Sequence, residues 1–325
     1  MTHAIRLHAP GGPDALVWEE IPVGEPGPGE VLLRQTAVGL NYIDIYHRSG
    51  LYPLPVLPAV LGMEGAGVVA ALGPGVTALQ VGQRVAYASL PVGAYAETRL
   101  MPADRLVPLP NGIDDRRAAA MMLKGMTAQY LLRRTYPVQA GDAVLVHAAA
   151  GGVGLPLCQW AAHLGATVIG TVGSEAKAEL AKAHGCHHTI LYDREDVPAR
   201  VREITDGEGV AVVYDSVGKA TFMASLDSLR PLGMMVSFGN SSGPLEAFDP
   251  ALLAQRGSLF FTRPSLLHYT AKADDLRSCA AELFEMVQSG KLRVEVNQTY
   301  ALKDAAQAHR DLEARRTTGS TVLVP

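Results

Sequence analysis

Cysteine is scarce. Cys158, Cys186 and Cys279 are odd in number and none lies close to another, which excludes a disulfide framework and leads us to expect a reducing, cytoplasmic setting. The opening Met1-Thr2-His3-Ala4-Ile5 has no apolar secretory core. There is no Lys/Arg-rich run, and the formal net charge of −4 leaves no electrostatic footprint for a nucleic acid partner. From Ala143 to Ser174 charge of either sign is missing altogether, so a hydropathy window would read a membrane span there. His147, the Gly151-Gly152 pair, Pro156, Gln159 and His163 interrupt that stretch. A buried strand, turn and helix explain it better, and no membrane partner is expected. Internal repeats and low-complexity segments are also lacking.

What the uncharged stretch contains is a pattern. Ala143 to His147 is the apolar run of a parallel strand buried on both faces, followed at once by Ala149-x-Gly151-x-x-Gly154 and the apolar segment Leu155 to Leu164. This is the dinucleotide fingerprint with alanine in its first glycine position. Gly151 would let the backbone approach a pyrophosphate, Gly154 would let helix pack on strand, and the N–H groups at the helix start would bind phosphate. Ala166 to Gly173 reads as the next strand and completes a βαβ unit. At its end, where Asp or Glu usually meets a free ribose 2′-hydroxyl, stand Gly173-Ser174, with Lys177 one turn into the next helix. Missing acid plus nearby base favour a 2′-phosphate, hence NADPH. Lys177 is also readable as part of a solvated helix face, and Glu175 beside it blurs the charge argument.

A length of 325 residues suggests two domains. Short strands are expected over Ile5 to His8 and Leu16 to Glu20, around the Gly11-Gly12-Pro13 turn, and over Val31 to Gly39, while Gly62 to Val69 packs small residues ahead of a further strand. Val81 to Ala86 and Gly93 to Glu97 continue the β-rich pattern, and Ala118 to Leu132 reads as helix. Beyond the fingerprint, strands at Thr189 to Tyr192, Val210 to Tyr214, Gly233 to Gly239 and Ser258 to Thr262 alternate with helices at Glu175 to His184 and Val197 to Ile204, the rhythm of a doubly wound parallel sheet. Asp274 to Ser289 and Tyr300 to Arg315 are expected helices.

The combination of Asn41-x-x-Asp44, Gly50-Leu51-Tyr52-Pro53, Gly62-x-Glu64-Gly65-Ala66-Gly67, Ala148 to Gly154 and Gly239-Asn240-Ser241-Ser242-Gly243 resembles the medium-chain dehydrogenase/reductase superfamily. With Phe261-Thr262-Arg263-Pro264-Ser265 and the terminal Gly319-Ser320, it is similar to the bacterial zinc-free NADPH:quinone oxidoreductases, relatives of zeta-crystallin, over nearly the whole chain. The resemblance implies a GroES-like β-rich catalytic domain over residues 1–124 and 266–325, a Rossmann NADPH-binding domain over 125–265, and a homodimer joined through the Rossmann sheet edge. It also places Asn41 where a zinc-binding relative has its first cysteine, and Met63 where the histidine before Glu64 would be. Neither that zinc site nor a four-cysteine structural loop can be built. His184-x-Cys186-His187-His188 is a second tempting metal cluster, but adjacent residues entering a strand point to opposite faces, and exposed imidazoles at a strand edge are the simpler reading.

Without metal, reduction of a carbonyl or quinone rests on hydride delivery and on hydrogen-bond donors at the developing oxyanion. Asn41, Tyr46, Tyr52 and Thr127 are the candidates, and Asn41 and Thr127 are also candidate cofactor contacts. Asn41 and Asp44 are equally good caps for the helix that begins there, and Tyr52 is equally a packed aromatic. A tyrosine in a similar Gly-x-Tyr-Pro context is the proposed proton donor of related zinc-free enoyl-thioester reductases. Lys124 is unusual in the otherwise apolar helix entry Ala118 to Gly125 and is readable as reaching the cleft, although an ordinary snorkelling lysine is the simpler reading. By resemblance, Gly152, Val153, Ser174, Lys177, Tyr192 and Arg315 hold the phosphates and adenine side, with Arg316 competing with Arg315; Phe238, Asn240 and Ser241 approach the nicotinamide ribose, with Phe238 equally readable as core. The expected activity is NADPH-dependent quinone reduction. Its rivals are reduction of an alkenal, enoyl or other conjugated carbonyl, and NADPH binding by a non-catalytic sensor.

Overall fold

The Gly11-Gly12-Pro13 turn connects β1 (Thr2–Leu7) and β2 (Leu16–Ile21), which pair antiparallel from Thr2 opposite Ile21 to Leu7 opposite Leu16. β3 (Glu30–Leu40) alternates along its first half, as period-two patterning requires, and is buried throughout from Val38 to Leu40. It runs directly into α1 (Tyr42–Ser49), whose C-terminus is closed by Gly50 in the left-handed conformation at φ 81°. The two-residue β4 (Ala59–Val60) returns to pair with β1. β5 (Glu64–Leu72), β6 (Arg84–Ala88), β7 (Thr98–Pro102) and β8 (Val107–Pro108) then join β3 in an antiparallel assembly.

Two of the strand expectations shift here. Val81 to Gln83 is a turn, with Gln83 N–H donating to the Gln80 carbonyl at 3.1 Å, so the strand starts at Arg84. Gly93 has φ 136° and the following residues reach a strand only through an isolated bridge between Ala4 and Ala96; pairing resumes at Thr98.

α2 (Asp115–Tyr130) carries the chain into the βα repeat: β9 (Ala143–Val146), α3 (Gly154–His163), β10 (Thr167–Val172), α4 (Glu175–Lys182), β11 (His188–Leu191), α5 (Val197–Ile204), β12 (Val210–Asp215), α6 (Phe222–Ser228), β13 (Leu229–Ser237), α7 (Ala251–Gln255), β14 (Phe260–Thr262) and α8 (Leu266–Tyr269). The six strands lie in the order β11-β10-β9-β12-β13-β14 and every neighbouring pair is parallel. This is the Rossmann order, in which the chain reverses direction across the sheet between β9 and β12 and the strands' carboxyl ends face a ligand. Leu145, Ile169, Ile190, Val213 and Met235 form its core. Helices α6, α7 and α8 are not announced by the sequence, because none of these short segments carries a clear apolar period.

The chain closes with α9 (Ala273–Gln288), β15 (Val296–Ala301), α10 (Ala305–Glu313) and β16 (Ser320–Val324). β16 pairs antiparallel with β3 and parallel with β15. Tyr300, expected to open a helix, therefore lies in a strand: its partner Leu323 is far along the chain, and no local pattern announces the pairing.

All 325 residues are described by this computed structural model and fall into two units, Met1–Met126 with Thr270–Gln288 and Val294–Pro325, and Thr127–Tyr269 with Ser289–Arg293. The fold is a Rossmann doubly wound sheet plus a GroES-like β-rich unit. No helix is long and apolar enough to cross a membrane.

Candidate active site

In the parallel-sheet unit, Ala148 after β9 adopts φ 53° and Gly151 N–H donates back to its carbonyl at 2.9 Å. Gly154 is the first residue of α3, and a Cβ there would strike the carbonyl oxygens of Ala148 and Ala149. Glycine is thus what allows the loop to fold against the helix start, whose first N–H groups have no acceptor within the helix.

At the neighbouring strand end, Ser174 caps α4, its Oγ accepting from Lys177 N–H at 3.4 Å. Tyr192 follows β11, is 41% exposed, and its Oη lies where a side chain on Gly173 would be. Ser174, Lys177 and Tyr192 are therefore brought together. Glu175 faces Arg194 at 3.4 Å, which partly neutralises that acid.

The ends of β12 and β13 are organised by a residue that sequence reasoning missed. Asp215 is fully buried; its Oδ1 accepts from the N–H groups of Val217 at 2.7 Å and Gly218 at 2.9 Å, and its Oδ2 accepts from Thr221 Oγ1 at 2.7 Å and Ser225 Oγ at 2.8 Å. Because the single hydroxyl proton of Ser225 goes to Asp215, His147 Nε2, 3.0 Å from Ser225 Oγ, is the donor of that contact. Its Nδ1 then accepts from Thr171 Oγ1 at 2.9 Å. Burial lowers the His147 pKa, consistent with this neutral tautomer. The loop so held accepts Ser241 N–H at Ser216 O, 3.3 Å, and Ser242 N–H at Val217 O, 2.8 Å, while Phe238 N–H donates to Asp215 O at 2.8 Å. Phe238 is half-buried and lies outside the sheet core, Asn240 is buried and Ser241 exposed. The available signal was an acid ending a wholly apolar strand. Thr127, also in this unit, is buried on α2.

In the β-rich unit Asn41 directly precedes α1. Its backbone N–H donates to Asp44 Oδ2 at 2.9 Å and its side-chain Nδ2 to Glu64 Oε2 at 2.8 Å. Lys124 is not a snorkelling surface lysine. It is buried, with Nζ 3.0 Å from Glu64 Oε2, while Leu123 N–H donates to Oε1 at 2.7 Å. Asp44 also accepts from Tyr95 Oη at 2.9 Å, and Tyr95 meets His309 Nε2 at 3.0 Å. Desolvation raises the Asp44 pKa to about 7, against the Asn41 and Tyr95 hydrogen bonds and the charge of Lys124, with Glu64 adding to the rise. Tyr46 is buried on α1, and its ring meets that of Tyr52 edge-on at 5.1 Å; Tyr52 N–H donates to Tyr46 O at 3.0 Å. Tyr42 extends this aromatic group, 6.2 Å from Tyr46. Arg315 is exposed just beyond α10 with φ 57°, and its neighbour Arg316 pairs with Asp311 at 3.3 Å.

No group of three or more His, Cys, Asp or Glu side chains is placed to hold a metal. His184 Nδ1 donates to Leu180 O at 2.8 Å, His187 Nδ1 accepts from Val168 N–H at 3.0 Å, and Cys186 Sγ donates to His188 O at 3.0 Å, so the tempting cluster is spent on local contacts.

Residues 27–111 match the alcohol dehydrogenase GroES-like domain and residues 152–285 the zinc-binding dehydrogenase family. The chain is 54% identical over 325 residues to a quinone oxidoreductase of Pseudomonas aeruginosa, covering 100% of both chains. It is 51% identical to a 2-haloacrylate reductase of a Burkholderia species, covering 100% of this chain and 99% of the relative. Among solved structures, the Escherichia coli quinone oxidoreductase complexed with NADPH superposes with a TM-score of 0.98 at 47% identity, covering 99% of this chain and 100% of that one.

Proposed function

This chain belongs to the quinone oxidoreductase family of the medium-chain dehydrogenases/reductases, and on that premise we propose that it reduces quinones with NADPH. The carrying observation is the end of β10, where Gly173 and Ser174 replace an acid and Lys177 and Tyr192 stand alongside. NADPH, when bound, supplies the hydride. The chain's part is to bind, orient and protonate. The α3 start with Gly151, Gly152, Val153 and Gly154 takes the pyrophosphate; Ser174, Lys177 and Arg315 take the 2′-phosphate, with Tyr192 at the adenine. Phe238, Asn240 and Ser241 take the nicotinamide ribose. Asn41, Tyr46, Tyr52 and Thr127 orient nicotinamide and acceptor, with the Tyr52 hydroxyl as the proton source. A quinone accepting a hydride becomes a hydroquinone anion, which one proton neutralises.

The relationship to a 2-haloacrylate reductase supports a second reading, reduction of a conjugated carbonyl. Homodimer formation and a cytoplasmic setting complete the proposal, the latter in keeping with three buried cysteines that form no disulfide.

The test is anaerobic loss of NADPH absorbance by chelator-treated protein with 1,4-benzoquinone, a conjugated enal and 2-chloroacrylate, against a no-acceptor control. Faster turnover with the quinone supports the first reading, and faster turnover with either conjugated carbonyl the second. Saturable NADPH binding with no turnover would sink both and leave the sensor.

A further inference from the structure

Glu64 has no solvent exposure, and three separate groups converge on its carboxylate: Leu123 N–H and Lys124 Nζ from α2, and the Asn41 side-chain amide ahead of α1. Space for it exists because residue 39 is glycine; a Cβ there would strike Glu64 Oε2 and the Ala119 carbonyl oxygen. Burying a carboxylate and an ammonium together is a poor route to stability, since apolar residues of the same volume commonly do as well. What the pair does supply is orientation. A carboxylate can only accept, so Asn41 must turn its NH2 toward Glu64, and Lys124 with Leu123 keeps Glu64 from turning away. Lys124 also brings a positive charge against two buried acids, Glu64 and Asp44.

We propose that Lys124 and Glu64 are positioning residues for the reduction, an ion pair whose task is to hold the Asn41 amide in its working orientation. The inference rests on the reading that Asn41 serves the reaction. It adds that Asn41 works only while a buried charge pair behind it is intact.

Catalytic geometry displaced by about 1 Å costs on the order of a hundred-fold in rate. Lys124→Met should therefore lower kcat with saturating NADPH and 1,4-benzoquinone by about ten-fold or more. NADPH affinity, read by fluorescence titration, should change much less, because the Lys124 ammonium is engaged with Glu64 inside the β-rich unit. Single removal of one charge leaves the other buried alone, so this variant is also expected to melt lower. Glu64→Gln combined with Lys124→Met restores neutrality and should recover thermal stability. Its kcat should stay low, because an amide in place of the Glu64 carboxylate has one oxygen, not two, to accept from both Leu123 N–H and the Asn41 amide. A purely structural pair predicts the reverse: kcat returns with stability in the double variant, and that result overturns the proposal. Asn41→Ala separates the two levels. If it keeps full kcat, the reading of Asn41 fails; if it is impaired while Lys124→Met and the double variant are not, only the present inference fails.

Discussion

Arg48 donates from Nη1 to Nδ1 of His309 at 3.0 Å, and this one contact sets the direction of every hydrogen bond from there to Asp44. A guanidinium cannot accept, so the His309 proton lies on Nε2 and is donated to Tyr95 Oη. The Tyr95 proton is then free only for Asp44 Oδ2. Arg48 is itself held by Gly11 O at 3.1 Å and Glu313 at 2.6 Å. The chain pushes every proton toward Oδ2, leaving Asp44 Oδ1 buried without a partner as the place where Asp44 takes up its own.

Two substitutions should shift the pH dependence of stability in opposite senses. Asp44 has a folded pKa raised from 3.8 to about 7, so the folded state binds more protons and stability falls as pH rises between those values, by at most about 4 kcal/mol. Asp44→Asn keeps an acceptor for Asn41 and Tyr95 and puts an amide NH2 in place of the orphan oxygen. Its Tm relative to wild type should be higher at pH 8 than at pH 5. Burial lowers the His309 pKa from 6.5 to about 3, aided by the Arg48 charge, so here stability falls as pH drops through that range. His309→Gln should gain on wild type at pH 5, not at pH 8. Parallel pH profiles for both variants would contradict the assignment.

Gly39→Ala tests how tightly the Glu64 cradle is built. The added methyl has to displace either Glu64 or the Ala119 backbone, an overpacking cost of about 1–3 kcal/mol or more. A lower Tm together with lost quinone turnover is expected; an unchanged Tm would mean that the cradle has slack.

Recognition of the 2′-phosphate is tested by Lys177→Ala and Arg315→Ala. Each charge-assisted hydrogen bond is worth about 1.5–3 kcal/mol, so each substitution should reduce the NADPH over NADH preference by roughly ten- to hundred-fold. The ratio of the two dissociation constants is the quantity to measure, and a ratio equal to wild type removes that residue from the site.

Asp215→Asn exchanges one acceptor oxygen for a donor among four donors, at a cost of about 1–3 kcal/mol for each partner left unsatisfied. A fall in Tm should be accompanied by weaker NADPH binding, since the loop bearing Asn240 and Ser241 bonds to the backbone of the turn that this carboxylate holds. Weaker folding with unaltered affinity would show that the loop is held by other means.

The Rossmann half was legible because its information is local. Most strands are short, largely apolar runs, the turns after β9, β10, β12 and β13 carry glycine, and the Ala149 to Gly154 spacing constrains backbone that is contiguous in the chain. Ser174 and Lys177 could be read for the same reason: they follow a strand by a fixed count.

What escaped is what long-range packing creates. Tyr300 looked helical because its strand is made by Val322 and Leu323 beside it, not by its own neighbours. The acids Asp44, Glu64 and Asp215 were visible as letters, but burial and partners give them their roles, and those partners lie far away in sequence, as Tyr95 and His309 do from Asp44. Lys124 is the clearest case. On its own helix it reads as a cation reaching for water; only the fold decides that it reaches inward, because Gly39 leaves room there for a carboxylate to meet it. By itself the sequence determined the architecture, the cofactor class and the family. The tertiary structure alone decided which side chains hold Asn41, because a buried charge acquires its meaning from what surrounds it.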